Sequence, residues 1–257
     1  MYNDYLNKYT CQKYNSSDDG YTAANIFQSL NQFISNSVYF SRFDGVVEGK
    51  YLNKIHLFLC RNDFYTSLYK HLLTIYFEIF GYESLEELSE DSTFIRNFNN
   101  SELKSRNPHY NNKPGFKAHI MNDSNRVVLS VVFSDSTDND SLFVDALYDN
   151  LLISKSILEK HTKRLLYDSG YESLANNYKV TENGFEIYAG YNKSNMGKKT
   201  NKKSTIALRD DIRKYKGRGI SENTFSNIHR YPVLTNNYER SMKSYKGLFM
   251  YVMCAQY

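Results

Sequence analysis

Three acidic residues stand where the chain could turn them toward a common ligand. In LLYDSGYES, Leu165 to Ser173, an apolar run ends at Asp168, and Gly170 permits a tight exit turn. Asp168 is thereby placed at the carboxyl end of a strand, where open α/β sheets present groups to ligands. The same residue would also serve as a cap for the helix that follows. In EDSTFIRN, Glu90 to Asn97, Asp91 enters a first strand, although Asp-Ser-Thr is also common turn or cap chemistry. The third segment, RKYKGRGISENTFSNIHR, Arg213 to Arg230, carries Glu222 among basic and aromatic residues. Wound as one helix, it sets Tyr215, Arg218, Glu222 and His229 within about 60° of one another at roughly 100° per residue, with Ile220, Thr224 and Ile228 behind. Such a helix would aim a carboxylate and phosphate-binding groups at one ligand. Gly217 and Gly219 argue for a later start near Ser221, with Tyr215 and Arg218 on the entering loop. A solvated helix with incidental ion pairs is the plainer reading.

The elements needed to hold these segments can be read from hydrophobic period. Ala23, Ile26, Phe27 and Leu30 recur at helical spacing, as do Leu68, Leu72, Ile75 and Ile79, which predicts amphipathic helices between Thr22 and about Phe80. After Ser89 the pattern turns to strands: Thr93 to Arg96, then Phe116 to Met121 and Val127 to Phe133 as a hairpin about the turn MNDSN. A helix is expected at Ser141 to Leu152, a buried strand at Arg164 to Tyr167 running into Asp168, and a helix near Glu172 to Asn177. A strand at Phe185 to Ala189, a basic loop, and helices after Ile220 and from about Tyr238 complete the chain. Three strands, helix, strand, helix, strand, helix is the order of an RNase H-like α/β fold. The expected organisation is a disordered polar tail over 1–21, a small helical module over 22–85, and an RNase H-like mixed sheet flanked by helices over 86–257.

Composition is compatible with a buried core, since 41% of 257 residues are hydrophobic. Cys11, Cys60 and Cys254 lie far apart without paired spacing, which suggests neither a zinc site nor a disulfide framework and fits a reducing compartment. No apolar run approaches the roughly 20 residues that span a bilayer, and the start lacks a signal-peptide pattern, so a soluble intracellular protein without a membrane partner is expected. The net charge of +4 decides nothing alone. Its distribution is uneven: YESLEELSED, Tyr82 to Asp91, is acidic, whereas KSNMGKKTNKK, Lys193 to Lys203, is basic, and its pairs Lys198-Lys199 and Lys202-Lys203 could follow a DNA backbone or simply be solvated. Lys117 and His119 could approach phosphate; a surface lysine and a packed histidine are the favoured alternative.

The three acidic segments, in their order and surroundings, resemble the catalytic motifs of bacterial insertion-sequence DDE transposases. The resemblance is to the branch whose third motif reads Tyr, two residues, Arg, three residues, Glu, six residues, Lys. Tyr215, Arg218 and Glu222 keep that spacing, while His229 occupies the lysine's place with Arg230 beside it. Asp168-Ser-Gly-Tyr171 is similar to the second motif and Asp91-Ser-Thr to the first, and the resemblance extends over about two-thirds of the chain. It implies a metal-dependent DNA strand-transfer enzyme in which Asp91, Asp168 and Glu222 hold two Mg²⁺ or Mn²⁺ ions about 3.5–4 Å apart. Water would first free a DNA 3′-hydroxyl at the element end, and that hydroxyl would then attack target DNA. Tyr215 and Arg218 would grip end phosphates; His229 would do so in part, because imidazole is mostly neutral at pH 7, with Arg230 supplying charge. Double-stranded DNA, as element end and as target, is the implied partner, bound by a homodimer. The absence of Trp leaves a hairpin route without its stacking residue, and no helix-turn-helix precedes Asp91. The alternatives are a domesticated or decaying descendant that binds DNA without transposing, and an RNase H-like nuclease or resolvase.

Overall fold

A chain whose middle third alternates apolar runs with turn residues has to bury those runs on both faces of a sheet. In the computed structural model, which describes residues 21–36, 39–99, 102–168, 170–171, 173–182, 184–189 and 219–256, it does so around one long strand. That strand, β1 (Glu87–Asn97), pairs antiparallel with β3 (Lys113–Asp123), and β3 pairs antiparallel with β4 (Val128–Asp135). On its other edge β1 pairs parallel with β5 (Arg164–Tyr167), which pairs parallel with β6 (Glu186–Ala189). The resulting order β4-β3-β1-β5-β6, with only the first hairpin strands antiparallel, is that of an RNase H-like mixed sheet. Two short strands complete it: β2 (Ser105–Asn107) on β3, and β7 (Asn236–Asn237), parallel to the far end of β1.

Helices cover both faces. α1 (Ala23–Asn36), α2 (Gly49–Arg61) and α3 (Phe64–Phe80) precede the sheet; α4 (Val144–Asp149) and α5 (Lys155–His161) lead into β5, and α6 (Leu174–Glu182) leads into β6. After β6 come α7 (Gly219–Ile228), α8 (Pro232–Thr235) and α9 (Met242–Ala255). α9 packs on α2 and α3, and at Gly247 a Cβ would overlap Cys60 Sγ of α2, so glycine sets that close approach. A buried polar node joins the same three helices. His56 contacts Tyr65 Oη at 3.2 Å and Ser244 Oγ at 3.0 Å, and Ser244 Oγ donates to Glu239. Burial drives the His56 pKa down to about 4, so the ring is neutral.

Several expectations need correction. The stripe Leu68, Leu72, Ile75, Ile79 does lie on a helix, but Ile79 is 67% exposed; Tyr65, Tyr69, Leu73 and Phe77 turn inward instead. α3 is apolar on two faces, and the aromatic one, with more area to bury, took the core. β1 begins at Glu87, well before Thr93, so Asp91 is interior to a strand and half of the acidic stretch is sheet. The single helix expected at Ser141 to Leu152 is a 3₁₀ turn, Asp140–Leu142, followed by the short α4. Residues 1–20 of the expected tail, together with Lys198, Lys199, Tyr215 and Arg218, lie outside the described residues. No helix among the described residues is long and apolar enough to cross a membrane.

Candidate active site

The edge of β1 that meets β5 is left open in its middle. β5 ends at Tyr167 opposite Glu90, and β7 begins at Asn236 opposite Arg96, so Asp91 to Ile95 face a gap between the two strands. Asp168 follows Tyr167 directly, at the start of that gap, and its charge acts on Asp91. It is exposed. Its turn is fixed from behind: Tyr171 N–H donates to Asp168 O at 2.9 Å, and Asn176 Nδ2 donates to Tyr171 O and Ser141 O, each at 2.8 Å.

α7 brings the third carboxylate. Ser89, Asp91 and Thr93 share one face of β1 because strand side chains alternate. Ser89 Oγ lies 2.5 Å from Ser221 Oγ, which donates to Asn122 Oδ1 at 3.1 Å, and Thr93 Oγ1 lies 3.3 Å from His229 Nε2. The helix therefore runs alongside β1 with contacts on either side of Asp91. Its buried face is Ser221, Thr224, Phe225 and Ile228, whereas Glu222 and His229 are exposed. Ile220, expected behind with Thr224 and Ile228, is half-buried.

The electrostatics of Asp91 are set mainly by burial. The Asp91 pKa is pushed up to about 7, first by burial, with the charges of Asp168, Asp140 and Glu222 all acting in the same direction. A 2.7 Å hydrogen bond from Ser92 N–H to Asp91 Oδ1 opposes the shift. Side chains with hard oxygen donors and mutual repulsion fit a divalent cation, which would remove the penalty. As the side chains stand, no group of three or more His, Cys, Asp or Glu among the described residues is arranged around a metal position.

Asp140 escaped the sequence reading because TDNDS reads only as a turn. It approaches the second segment closely: a Cβ at Gly170 would meet Asp140 Oδ2 at 3.0 Å. It also takes up Lys117, whose Nζ donates to Asp140 Oδ1 and Asp138 O at 2.8 Å each. His119 is fully buried, 2.7 Å from Tyr171 Oη and 2.8 Å from Ser134 Oγ, and burial lowers its pKa to about 4. It is a packed, neutral histidine, and neither residue is aimed at solvent phosphate. His229 is likewise shifted down by burial, which leaves the exposed Arg230 as the fixed charge at that end of α7.

Among solved structures, the chain is similar to the catalytic domain of Mos1 mariner transposase (8% identity, 74% of this chain and 88% of that one, TM-score 0.30). It is also similar to that catalytic domain with Raltegravir and Mg (9%, 75% and 92%, 0.27) and to a pre-cleavage Mos1 transpososome (7%, 98% and 84%, 0.29). No curated protein matches the chain. The family model described as "Transposase DDE domain" matches residues 86–256, from the threshold of β1 to the end of α9, and the chain belongs to that family.

Proposed function

We propose that this transposase-family protein cuts DNA at the ends of a mobile element and joins the freed strand to target DNA, using Asp91, Asp168 and Glu222. The observation that carries the reading is the placement of Asp91 at the open edge of β1, with Asp168 just past the end of β5 and α7 held along the same face of β1 through Ser221 and His229, so that acidic groups whose charges repel border one gap. Nothing in folding favours such repulsion, and a polyanion-processing site filled by cations does. Two Mg²⁺ or Mn²⁺ ions would supply activation of the attacking oxygen and charge stabilisation of the leaving one. Asp91 on β1 and Asp168, the residue after β5, would hold the cations from the sheet side, and Glu222 would close the set from α7. The branch with the Tyr-Arg-Glu-Lys motif remains the assignment for the third segment, with Tyr215 and Arg218 on end phosphates. Arg230 takes the lysine's charge, His229 contributes a polar contact, and Lys198 and Lys199 follow the flanking backbone. In this reading residues 22–85 form the helical module before the catalytic domain, and two copies act on paired DNA ends.

The test uses the full chain and a plasmid carrying the sequences that flank its gene. Asp91→Asn, Asp168→Asn and Glu222→Gln keep shape and remove charge, so each should abolish Mg²⁺-dependent cleavage while leaving DNA affinity within about threefold, a change worth under 1 kcal/mol. Cleavage at the parent rate by any one of them removes that residue from the set.

A further inference from the structure

Beyond the carboxylates, β1 continues for five residues to Arg96, about 17 Å at the rise of an extended strand. There it meets a row of three rings in contact, one pair stacked and the other tilted by 44°. The Arg96 guanidinium carbon sits 4.3 Å from the Phe98 ring centre; Phe98 stacks on Tyr238 at 4.6 Å and 12°; Tyr238 meets Tyr39 at 4.2 Å; and the Arg42 guanidinium carbon lies 5.2 Å from Tyr39. Two arginines thus cap the ends of a three-ring pile assembled from the residue after β1, the segment after β7 and the segment before α2. Both are exposed, and among the described residues no carboxylate lies within ion-pair distance of either.

Other surfaces carry less. The outer stripe of α3 has nothing on it to say what covers it, and the His56 node is closed to solvent. The arginine-capped pile differs because its cations are held in place by ring faces while no carboxylate among the described residues offsets their charge. A guanidinium prearranged in this way loses less side-chain freedom on meeting a phosphate than a free lysine does. The pile is also rigidly joined, through β1, to the position where a scissile phosphate would lie.

We propose that Arg42 and Arg96 form a duplex-DNA clamp that grips backbone phosphates flanking the reacting position, with Phe98, Tyr238 and Tyr39 fixing their separation. The distance of about 17 Å from Asp91 corresponds to about five base pairs of duplex at 3.4 Å each, so the contact falls within half a turn of the cut. The proposal rests on the transposase reading for its partner and on the fold alone for its geometry. Being backbone contacts, these carry no base preference.

The probe is a fluorescently labelled 30-base-pair duplex of arbitrary sequence, titrated with the full chain by anisotropy between about 50 and 300 mM salt. Arg42→Gln and Arg96→Gln should each weaken binding at 150 mM salt several-fold and reduce the slope of log K against log salt by about one, and the double variant by about two. Arg96→Lys should restore the slope. Unchanged affinity and slope in a folded double variant overturn the clamp and leave the pile as packing. If the double variant loses its melting transition, Arg42→Gln alone decides by the same slope. A parent protein that binds no duplex overturns both the clamp and the transposase reading. Carboxylate variants that still cleave, alongside arginine variants that lose slope, overturn only the catalytic assignment.

Discussion

Replacing Asp91 with Asn should make the metal-free protein more stable. The carboxyl group has a folded-state pKa near 7 against about 3.9 in an unfolded chain, a difference of about three units. The sign follows from linkage. A carboxyl whose pKa is raised by folding binds its proton better in the native state, so its contribution is most favourable below about pH 4 and is lost as pH rises through about 7. Above that the loss is complete, and three units amount to about 4 kcal/mol as an upper figure. Asparagine carries no charge, and its amide oxygen can still accept the Ser92 N–H that Asp91 Oδ1 accepts at 2.7 Å. At pH 8 in EDTA, Asp91→Asn should exceed the parent by about 2–4 kcal/mol, or roughly 5–15 °C in Tm for a chain of this size. Near pH 4.5 the advantage should shrink below about 1 kcal/mol. Millimolar Mn²⁺ should then raise the parent and not the variant, because only the native parent gains a ligand. Thermal melts across pH, with EDTA and with Mn²⁺, give all three readings. A variant no more stable than the parent at pH 8, with no pH-dependent gap, would show that Asp91 is not held against its own charge, and the case for a cation-requiring cluster would go with it.

Two further substitutions probe how the site is held. Ser221→Val strips the hydroxyl that links α7 to Ser89 and Asn122, leaving buried polar atoms unpaired at a cost of about 1–3 kcal/mol by urea denaturation; cleavage should fall more than DNA affinity, and parity of both with the parent would show that this link does not position Glu222. His119→Leu abandons the Tyr171 and Ser134 hydroxyls and should cost about 2–4 kcal/mol at pH 7. Because the histidine pKa is depressed to about 4, the parent keeps that stability above about 6.5 and loses up to about 3 kcal/mol as pH falls through 4, a loss the leucine variant should lack. An equally steep acid slope in both proteins would refute it.

Legibility in the sequence followed size and regularity. The apolar runs of β3, β4 and the short β5 are visible in the sequence, as is the MNDSN turn by its residue types. The front half of β1 did not, because Glu87, Ser89 and Glu90 are polar residues brought into the sheet by pairing with β3 and β5, which no local pattern encodes. β2 and β7 are two or three residues long and exist only because a partner edge is there. Of the proposed site, Asp91, Asp168 and Glu222 stand out in the sequence only through the order and surroundings of three motifs that resemble those of DDE transposases. Asp140, which bears on Asp91 from another loop, had no spacing to reveal it. The packed, neutral state of His119 was favoured in advance on general grounds, but its partners Tyr171 and Ser134 lie far apart in sequence and only the fold joins them.

One neighbour of Asp91 tests the choice of residue directly. Glu90 is 1% exposed, and neither of its carboxyl oxygens has a hydrogen-bond partner among the described residues. Burial, then the charge of Asp145, push its pKa well above the ordinary carboxylate range, which favours the neutral acid. A slip of one residue along β1 would exchange the two acids between faces, and a metal ligand has to be on the reachable one. The register forbids the exchange: Glu90 pairs with Tyr167 on β5 and Met121 on β3, which sets Asp91 at the gap beside α7 and Glu90 on the opposite, closed face. An unpaired buried acid that does no chemistry is a plain cost of about 1–3 kcal/mol. Glu90→Met, similar in volume and apolar, should therefore stabilise the protein by about that amount in urea denaturation and leave Mg²⁺-dependent cleavage at the parent rate. Loss of cleavage in a folded, stabilised Glu90→Met protein would move the ligand role from Asp91 to Glu90 and require the register around the gap to be wrong by one.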